Sequence, residues 1–189
     1  MKSSRAILKI ILFIIVLIAG VFCRKKTNNS TTLPIIEELP AVTQEGKNTC
    51  GFLVNGKVWL PKGKIGNGEP NLKWWYDPAY RNGTFNINGS RAEKENDSFF
   101  TSFAIGISNC TNIGTYILNK TEAGVAIYSD YYKSCIYYYS DTVIGNSSFL
   151  TITKFDTINK IIAGLFEFTL AKPGCDTIRI TKGRFDIKF

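Results

Sequence analysis

Residues 53–59 read LVNGKVW and place Asn55-Gly56 between two apolar pairs. An Asn-Gly pair is typical of the two-residue turn of a β-hairpin, in which both turn residues need a positive φ. The stretch therefore predicts two short antiparallel strands joined by a tight turn.

Alternation of apolar and polar side chains predicts further strands along the chain. The longest example is 99–107, where aromatic, Thr and Ile side chains share one face and Ser, Ala and Gly share the other. The segments 84–88, 124–127, 177–181 and 184–189 show the same period of two. This period indicates strands with one buried face and one face in water.

The connections between these strands are short, which favours antiparallel neighbours. Residues 156–159 join two strands, and Lys182-Gly183 is expected to join the last two. We predict a single all-β domain over 48–189, an antiparallel meander of about ten strands, since short strands with regular turns favour such folds. It would form a sandwich or a flattened barrel, with a lipocalin-like closed barrel as the alternative.

The N-terminus indicates export and a membrane anchor. Residues 1–22 form a predicted signal helix, in which a basic start is followed by the apolar run 10–22. Cys23 ends this run, as in a bacterial lipoprotein signal, where the cysteine is acylated and becomes the new N-terminus. An uncleaved membrane anchor is the alternative, because Phe22 precedes the cysteine and 24–26 are basic.

A flexible tether is predicted to follow the anchor over 23–47. Residues 27–32 are a low-complexity polar run, and Pro34 and Pro40 disfavour a helix. We therefore expect a lipoprotein of the cell envelope, held at the outer membrane by its lipid. Whether it faces the periplasm or the cell exterior stays open.

Five segments of the chain carry a family resemblance: 39–44 (LPAVTQ), 48–59 (NTCGFLVNGKVW), 150–156 (LTITKFD), 164–168 (GLFEF) and 183–189 (GRFDIKF). They resemble a family of Bacteroidota lipoproteins of unknown function. The resemblance implies export, lipidation and an all-β fold for this chain. It implies no activity, because none is assigned to the family.

The composition excludes several chemistries. The chain of 189 residues contains no histidine, which removes Ser-His-Asp and Cys-His catalysis and most zinc sites. Its net charge of +8 is spread along the chain without the clustered basic and aromatic residues of a nucleic-acid interface. We expect no metal, no cofactor and no nucleic-acid partner.

Four cysteines remain once Cys23 is set aside, and an even number in an exported chain suggests two disulfides. Of the three ways to pair them, Cys110–Cys135 with Cys50–Cys175 is favoured, because the first closes a short loop and the second joins the ends of the domain. Four buried thiols are the alternative. A thiolate metal site is disfavoured because no CxxC spacing occurs.

Aromatic residues supply the candidate binding site. Trp74, Trp75 and Tyr76 are contiguous, and Trp59 and Tyr80 lie near them in sequence. Exposed aromatic rings on a β-scaffold can stack on sugars or hold a partner protein, whereas buried ones pack in the core. Adjacent strand residues point to opposite faces, so one of the two neighbouring tryptophans is expected to be exposed.

These observations favour a non-enzymatic binding module of the envelope, with a glycan or a partner protein as its ligand and a lipid anchor in the membrane. A structural or assembly role in the envelope is the second hypothesis. A hydrolase that uses two carboxylates is the third, and it would need two acidic side chains facing each other in a cleft.

Overall fold

A computed structural model describes residues 37–63, 69–94, 98–118, 124–138 and 148–189, which belong to a compact unit extending from Glu37 to Phe189. No helix in this part of the chain is both long and apolar enough to cross a membrane. The predicted signal helix and Cys23 lie outside the described residues.

The described residues form eleven strands and one short 3-10 turn, Tyr80–Asn82, that links the third strand to the fourth. The strands are β1 Thr49–Val54, β2 Lys57–Trp59, β3 Leu72–Asp77, β4 Thr84–Arg91, β5 Thr101–Ile107, β6 Gly114–Ile117, β7 Gly124–Asp130, β8 Cys135–Tyr137, β9 Phe149–Asp156, β10 Ile161–Leu170 and β11 Ile178–Lys188.

The strands are arranged in two antiparallel sheets. One has the order β2-β1-β11-β10-β9-β6, and the other has the order β3-β4-β5-β7-β8. The prediction of an all-β sandwich is confirmed, and the closed-barrel alternative is wrong because both sheets keep their edge strands. The connectivity departs from a simple meander where β1 pairs with β11 and where β6 leaves its sequence neighbours to pair with β9.

The predicted hairpin at Asn55-Gly56 is confirmed. Both residues have positive φ, 48° and 83°, and the turn joins β1 to β2. The Asn55 side chain also donates to the Thr177 carbonyl and accepts from the Arg179 amide, at 3.0 and 2.8 Å. The turn residue thus also holds the beginning of β11 beside the hairpin.

The expected turn at Lys182-Gly183 is wrong, because β11 continues through it as one strand. Lys182 has a φ of 53°, and the pairing registers of both neighbouring strands shift beside it, which marks a β-bulge. The Phe166 ring lies where a side chain at position 183 would be, so only glycine fits there. A β-bulge and a tight turn can both contain residues with positive φ, so the Lys182-Gly183 pair alone does not distinguish a bulge from a turn.

Aromatic rings fill the space between the sheets. Phe52 lies at the centre, with ring centroids 4.9 Å from Phe103 and 5.6 Å from Phe166, both edge-on. Phe85 stacks on Phe185 from the opposite sheet at 5.3 Å. Burial of such large rings supplies most of the hydrophobic stabilisation of a sandwich.

Part of the predicted tether packs on the domain. Asp186 of β11 is 1% exposed, and its carboxylate accepts hydrogen bonds from the Thr43 hydroxyl (2.6 Å), the Gly46 amide (2.7 Å) and the Glu45 amide (3.0 Å). Residues 43–46 thus contact β11 and belong to the compact unit that extends from Glu37 to Phe189. The remainder of the tether lies outside the described residues.

The disulfide pairing differs from both favoured pairs. Cys135 of β8 is bonded to Cys175 in the β10–β11 connection, and Cys50 and Cys110 are buried free thiols. The predictions of Cys110–Cys135 and Cys50–Cys175 are wrong. The bond that forms links the edge of one sheet to a loop of the other, a proximity that only the packing of the two sheets creates.

Candidate functional site

β3 presents its aromatic residues on two different faces because successive side chains of a strand point to opposite sides. Trp74 and Tyr76 turn inward and are half-buried, whereas Trp75 points outward and is 46% exposed. The expectation that one of the two adjacent tryptophans is exposed is confirmed. Since β3 is an edge strand of the five-stranded sheet, Trp75 stands at the border of that sheet's outer face.

The strand register places small and polar side chains beside Trp75. Trp75 pairs with Asn86 of β4, Asn86 with Gly106 of β5, and Gly106 with Val125 of β7. The Asn86 side-chain oxygen lies over Gly106, where a larger residue would clash with it. Asn86 and Gly106 both line a depression on the outer face.

The turn after β3 places Tyr80 at the rim of this depression. The Asp77 carboxylate accepts hydrogen bonds from the Ala79 and Tyr80 amides, at 2.9 and 3.1 Å, and the Thr84 hydroxyl donates to the Tyr80 carbonyl at 2.8 Å. The Arg81 guanidinium lies 5.4 Å from the centre of the Tyr80 ring, within cation–π distance. The backbone of Tyr80 is thus held in place, while the residue as a whole is 51% exposed.

Together these residues form a shallow cavity of about 260 Å³ on the outer face. Its walls combine two exposed aromatic rings with amide and hydroxyl groups, and none of its lining residues is acidic. The lining residues are Trp75, Tyr80, Arg81, Thr84, Asn86, Gly106, Ile107, Ser108 and Val125.

The outer face continues into a second depression of about 370 Å³. Lys73, Asn88, Ala104 and Ile127 form a row across its strands, parallel to the row that contains Trp75. The lysine of this second depression, Lys73, already forms an ion pair, because its ammonium lies 2.7 Å from the Glu69 carboxylate.

A larger cleft of about 590 Å³ lies on the other side of Trp75, along the free edge of β3. The Trp74 indole donates a hydrogen bond to the Lys188 carbonyl at 3.0 Å. Tyr76 packs edge-on against Phe155 and Phe189, with centroids 5.4 and 5.1 Å away, and burial raises the pKa of its hydroxyl. The lining residues are Trp74, Trp75, Tyr76, Pro78, Thr157, Lys160, Lys188 and Phe189.

The structure thus brings four of the five predicted aromatic site residues to cavities that meet at Trp75, and it separates the fifth. Trp59 is 3% exposed, stacks on Phe52 with centroids 4.6 Å apart, and donates its indole hydrogen to the Thr101 hydroxyl at 2.7 Å. Trp59 is therefore a core residue, and its prediction as a binding residue fails for lack of exposure.

Four aspartates form hydrogen bonds or an ion pair outside the cavities that share Trp75. Asp77, Asp130 and Asp156 each accept hydrogen bonds from backbone amides of their own turns, and Asp176 pairs with Lys133 at 2.7 Å. The two depressions, the cleft and a further cavity beside Pro40 and Leu60 each have at most one acidic side chain in their lining. No three potential metal ligands cluster in the described ranges.

Sequence reasoning missed the polar and basic residues of the site. Asn86 and Gly106 lie on the face that alternation assigns to water, but nothing local distinguishes them from other surface residues. Lys160 and Lys188 lie 28 positions apart in sequence and meet only because Ile161 and Lys188 pair across β10 and β11. The cleft depends on these long-range pairings.

No protein-family model matches this chain, and no curated protein or solved structure is significantly similar to it.

Proposed function

We propose that this protein is a non-enzymatic glycan-binding module of the bacterial cell envelope, with Trp75 and Tyr80 as its stacking residues. The observation that carries the proposal is the exposure of both rings on one cavity of the outer face. An aromatic face beside amide and hydroxyl groups suits a sugar, since the ring covers its C–H surface and the polar groups bond its hydroxyls.

The rigidity of the site supports this proposal. Trp75 belongs to a paired strand, and the turn that carries Tyr80 is held by the Asp77 carboxylate and the Thr84 hydroxyl. A backbone that is already fixed loses little conformational entropy when a ligand binds. A shallow surface site of this kind suits a polymer that lies across the sheet.

The proposal also includes the cellular location of the protein. The segment 1–22 and Cys23 resemble a lipoprotein signal, and the family resemblance points the same way. We infer export, acylation at Cys23 and attachment to the outer membrane. A mass spectrum of the mature protein from cells tests this inference, because acylated Cys23 as the first residue is expected and an unmodified full-length chain would contradict it.

Binding to an array of bacterial and plant polysaccharides tests the glycan site, with the full-length protein in detergent. Trp75→Ala and Tyr80→Ala are each expected to weaken binding about tenfold, as loss of a central aromatic contact does. Tyr138→Ala is the matched control, since Tyr138 is 48% exposed and does not line the cavity. Unchanged binding in both site variants would overturn the proposal.

A further inference from the structure

Trp75 is shared by two cavities, the shallow one on the outer face and the cleft along the edge of β3. We propose that the cleft is an anion subsite, in which Lys160 and Lys188 hold a carboxylate of an acidic polysaccharide whose neighbouring sugar stacks on Trp75. This inference rests on the proposed glycan binding and specifies its substrate class.

The backbone holds both lysines at the cleft. Lys160 ends the β9–β10 turn, and its carbonyl accepts the Phe189 amide at 2.8 Å. Lys188 lies in β11, where its amide donates to Asn48 at 2.8 Å and its carbonyl accepts the Trp74 indole at 3.0 Å. The main chain of each residue is thereby fixed, while both side chains remain exposed.

Neither ammonium group forms an ion pair with another described residue, in contrast to cations elsewhere on the surface. Lys73 is paired with Glu69, and Lys133 with Asp176, each at 2.7 Å. No aspartate or glutamate side chain lines either of the cavities that share Trp75. The positive charge of the cleft is therefore available to a ligand.

Arg81 adds a third positive charge near Trp75. Arg81 lines the shallow cavity on the opposite side of Trp75 from the two lysines. A polymer that crosses Trp75 would meet positive charge on both sides of the stacked sugar. Uronic acid residues combine a ring that can stack with a carboxylate that can pair, which a neutral glycan lacks.

Homogalacturonan tests the proposal, because its methyl esters remove the charge and leave the backbone unchanged. The full-length protein in detergent is titrated with the acidic and the methyl-esterified polymer, and then with alginate and hyaluronate. We expect the acidic form to bind about tenfold more tightly at low salt, with the difference shrinking as salt is added.

Two variants test the contribution of the lysines. Lys160→Gln with Lys188→Gln should remove most of the preference for the acidic form while leaving neutral binding unchanged. Lys73→Gln is the control. Lys73 is exposed on the same face of β3 as Trp75, but its charge is already paired with Glu69. Circular dichroism confirms that each variant is folded.

The outcomes distinguish this inference from the proposed function. A preference that survives in the double lysine variant, or the absence of binding to every acidic polymer, overturns the anion subsite. If Trp75→Ala leaves binding of both polymer forms unchanged, the glycan site itself fails. Binding to phosphatidylglycerol vesicles that depends on the lysines but is not displaced by acidic polymer would assign the cleft to lipid instead and overturn the inference.

Discussion

The Trp74 indole donates a hydrogen bond to the Lys188 carbonyl, 3.0 Å away, and so joins the free edge of the five-stranded sheet to the last strand of the other sheet. The same contact forms one wall of the lysine-containing cleft. One residue thus contributes both to the packing of the sandwich and to the shape of a candidate binding surface.

Trp74→Phe should lower the free energy of unfolding by about 1 kcal/mol, because it removes this hydrogen bond and keeps most of the ring. Urea denaturation followed by circular dichroism measures the change. Trp75→Phe is the control, because Trp75 lies on the outer face, and its stability should stay within about 0.5 kcal/mol of the wild type. Equal stability of all three proteins would show that the bond contributes nothing.

Asp186→Asn should lower the stability by about 2 kcal/mol at neutral pH, because hydrogen bonds to a charged acceptor are stronger than those to an amide. Burial alone raises the pKa of Asp186, but the hydrogen bonds from Thr43 and the Glu45 and Gly46 amides outweigh it and keep the pKa below its usual value. The carboxylate therefore stabilises the fold above the unfolded pKa of about 4, and this stabilisation is lost as the pH falls through the folded pKa.

Denaturation at several pH values tests this linkage. The wild type should lose stability below about pH 4 more steeply than Asp186→Asn, because the variant has no carboxylate to titrate at this position. Parallel pH curves for the two proteins would contradict the role of the charge.

Arg91→Gln should release the beginning of the domain. The Arg91 side chain is 10% exposed, and its guanidinium lies 2.8 Å from Glu37 and 2.7 Å from Glu93. Lys62 also contacts both carboxylates, at 2.8 and 3.2 Å. Removing the central cation should cost about 2 kcal/mol and expose 37–47 to proteases.

Limited proteolysis with peptide mapping measures this release, and Lys154→Gln is the control because its pair with Asp156 joins residues of the same strand. The hydrogen bond from Lys62 lowers the pKa of Glu37, and Arg91 lowers it further. The network therefore weakens as the pH falls through the folded pKa of Glu37, so proteolysis of the wild type should quicken at acidic pH. A pH-independent rate would argue against this.

Replacing Cys135 and Cys175 with alanine should lower the stability by about 3 kcal/mol, because their bond joins residues 40 positions apart in sequence and restricts the unfolded chain. Dithiothreitol should destabilise the wild type by a similar amount and leave the double variant unchanged. If dithiothreitol leaves the stability of the wild type unchanged, the Cys135–Cys175 disulfide is contradicted.

Alkylation followed by mass spectrometry checks which cysteines are paired. Burial raises the pKa of the Cys110 thiol to about 11, and burial also raises the pKa of Cys50. Both should therefore resist iodoacetamide in the folded protein at pH 8 and react once it is unfolded. Labelling of Cys135 or Cys175 without prior reduction would contradict the disulfide.

The strands were predictable because their signals are local. A positive φ at Asn55 and Gly56, and side-chain alternation in β4, β5, β7 and β11, depend on neighbouring residues and backbone sterics alone. The same locality explains the error at Lys182-Gly183, where a bulge and a turn demand the same backbone conformation. The position of a strand within its sheet has no comparable local signal.

The amino-acid sequence by itself determined the fold class, the hairpin at Asn55-Gly56 and the alternation that exposes one tryptophan of the pair. The tertiary structure alone decided that Trp59 is covered by the opposite sheet while Trp75 faces solvent, and that Cys135 meets Cys175. It also decided that Lys160 and Lys188 lie beside Trp75. The physical reason is that burial and proximity between distant residues arise from how the two sheets pair and pack, whereas strand formation follows from the residues nearest in the chain.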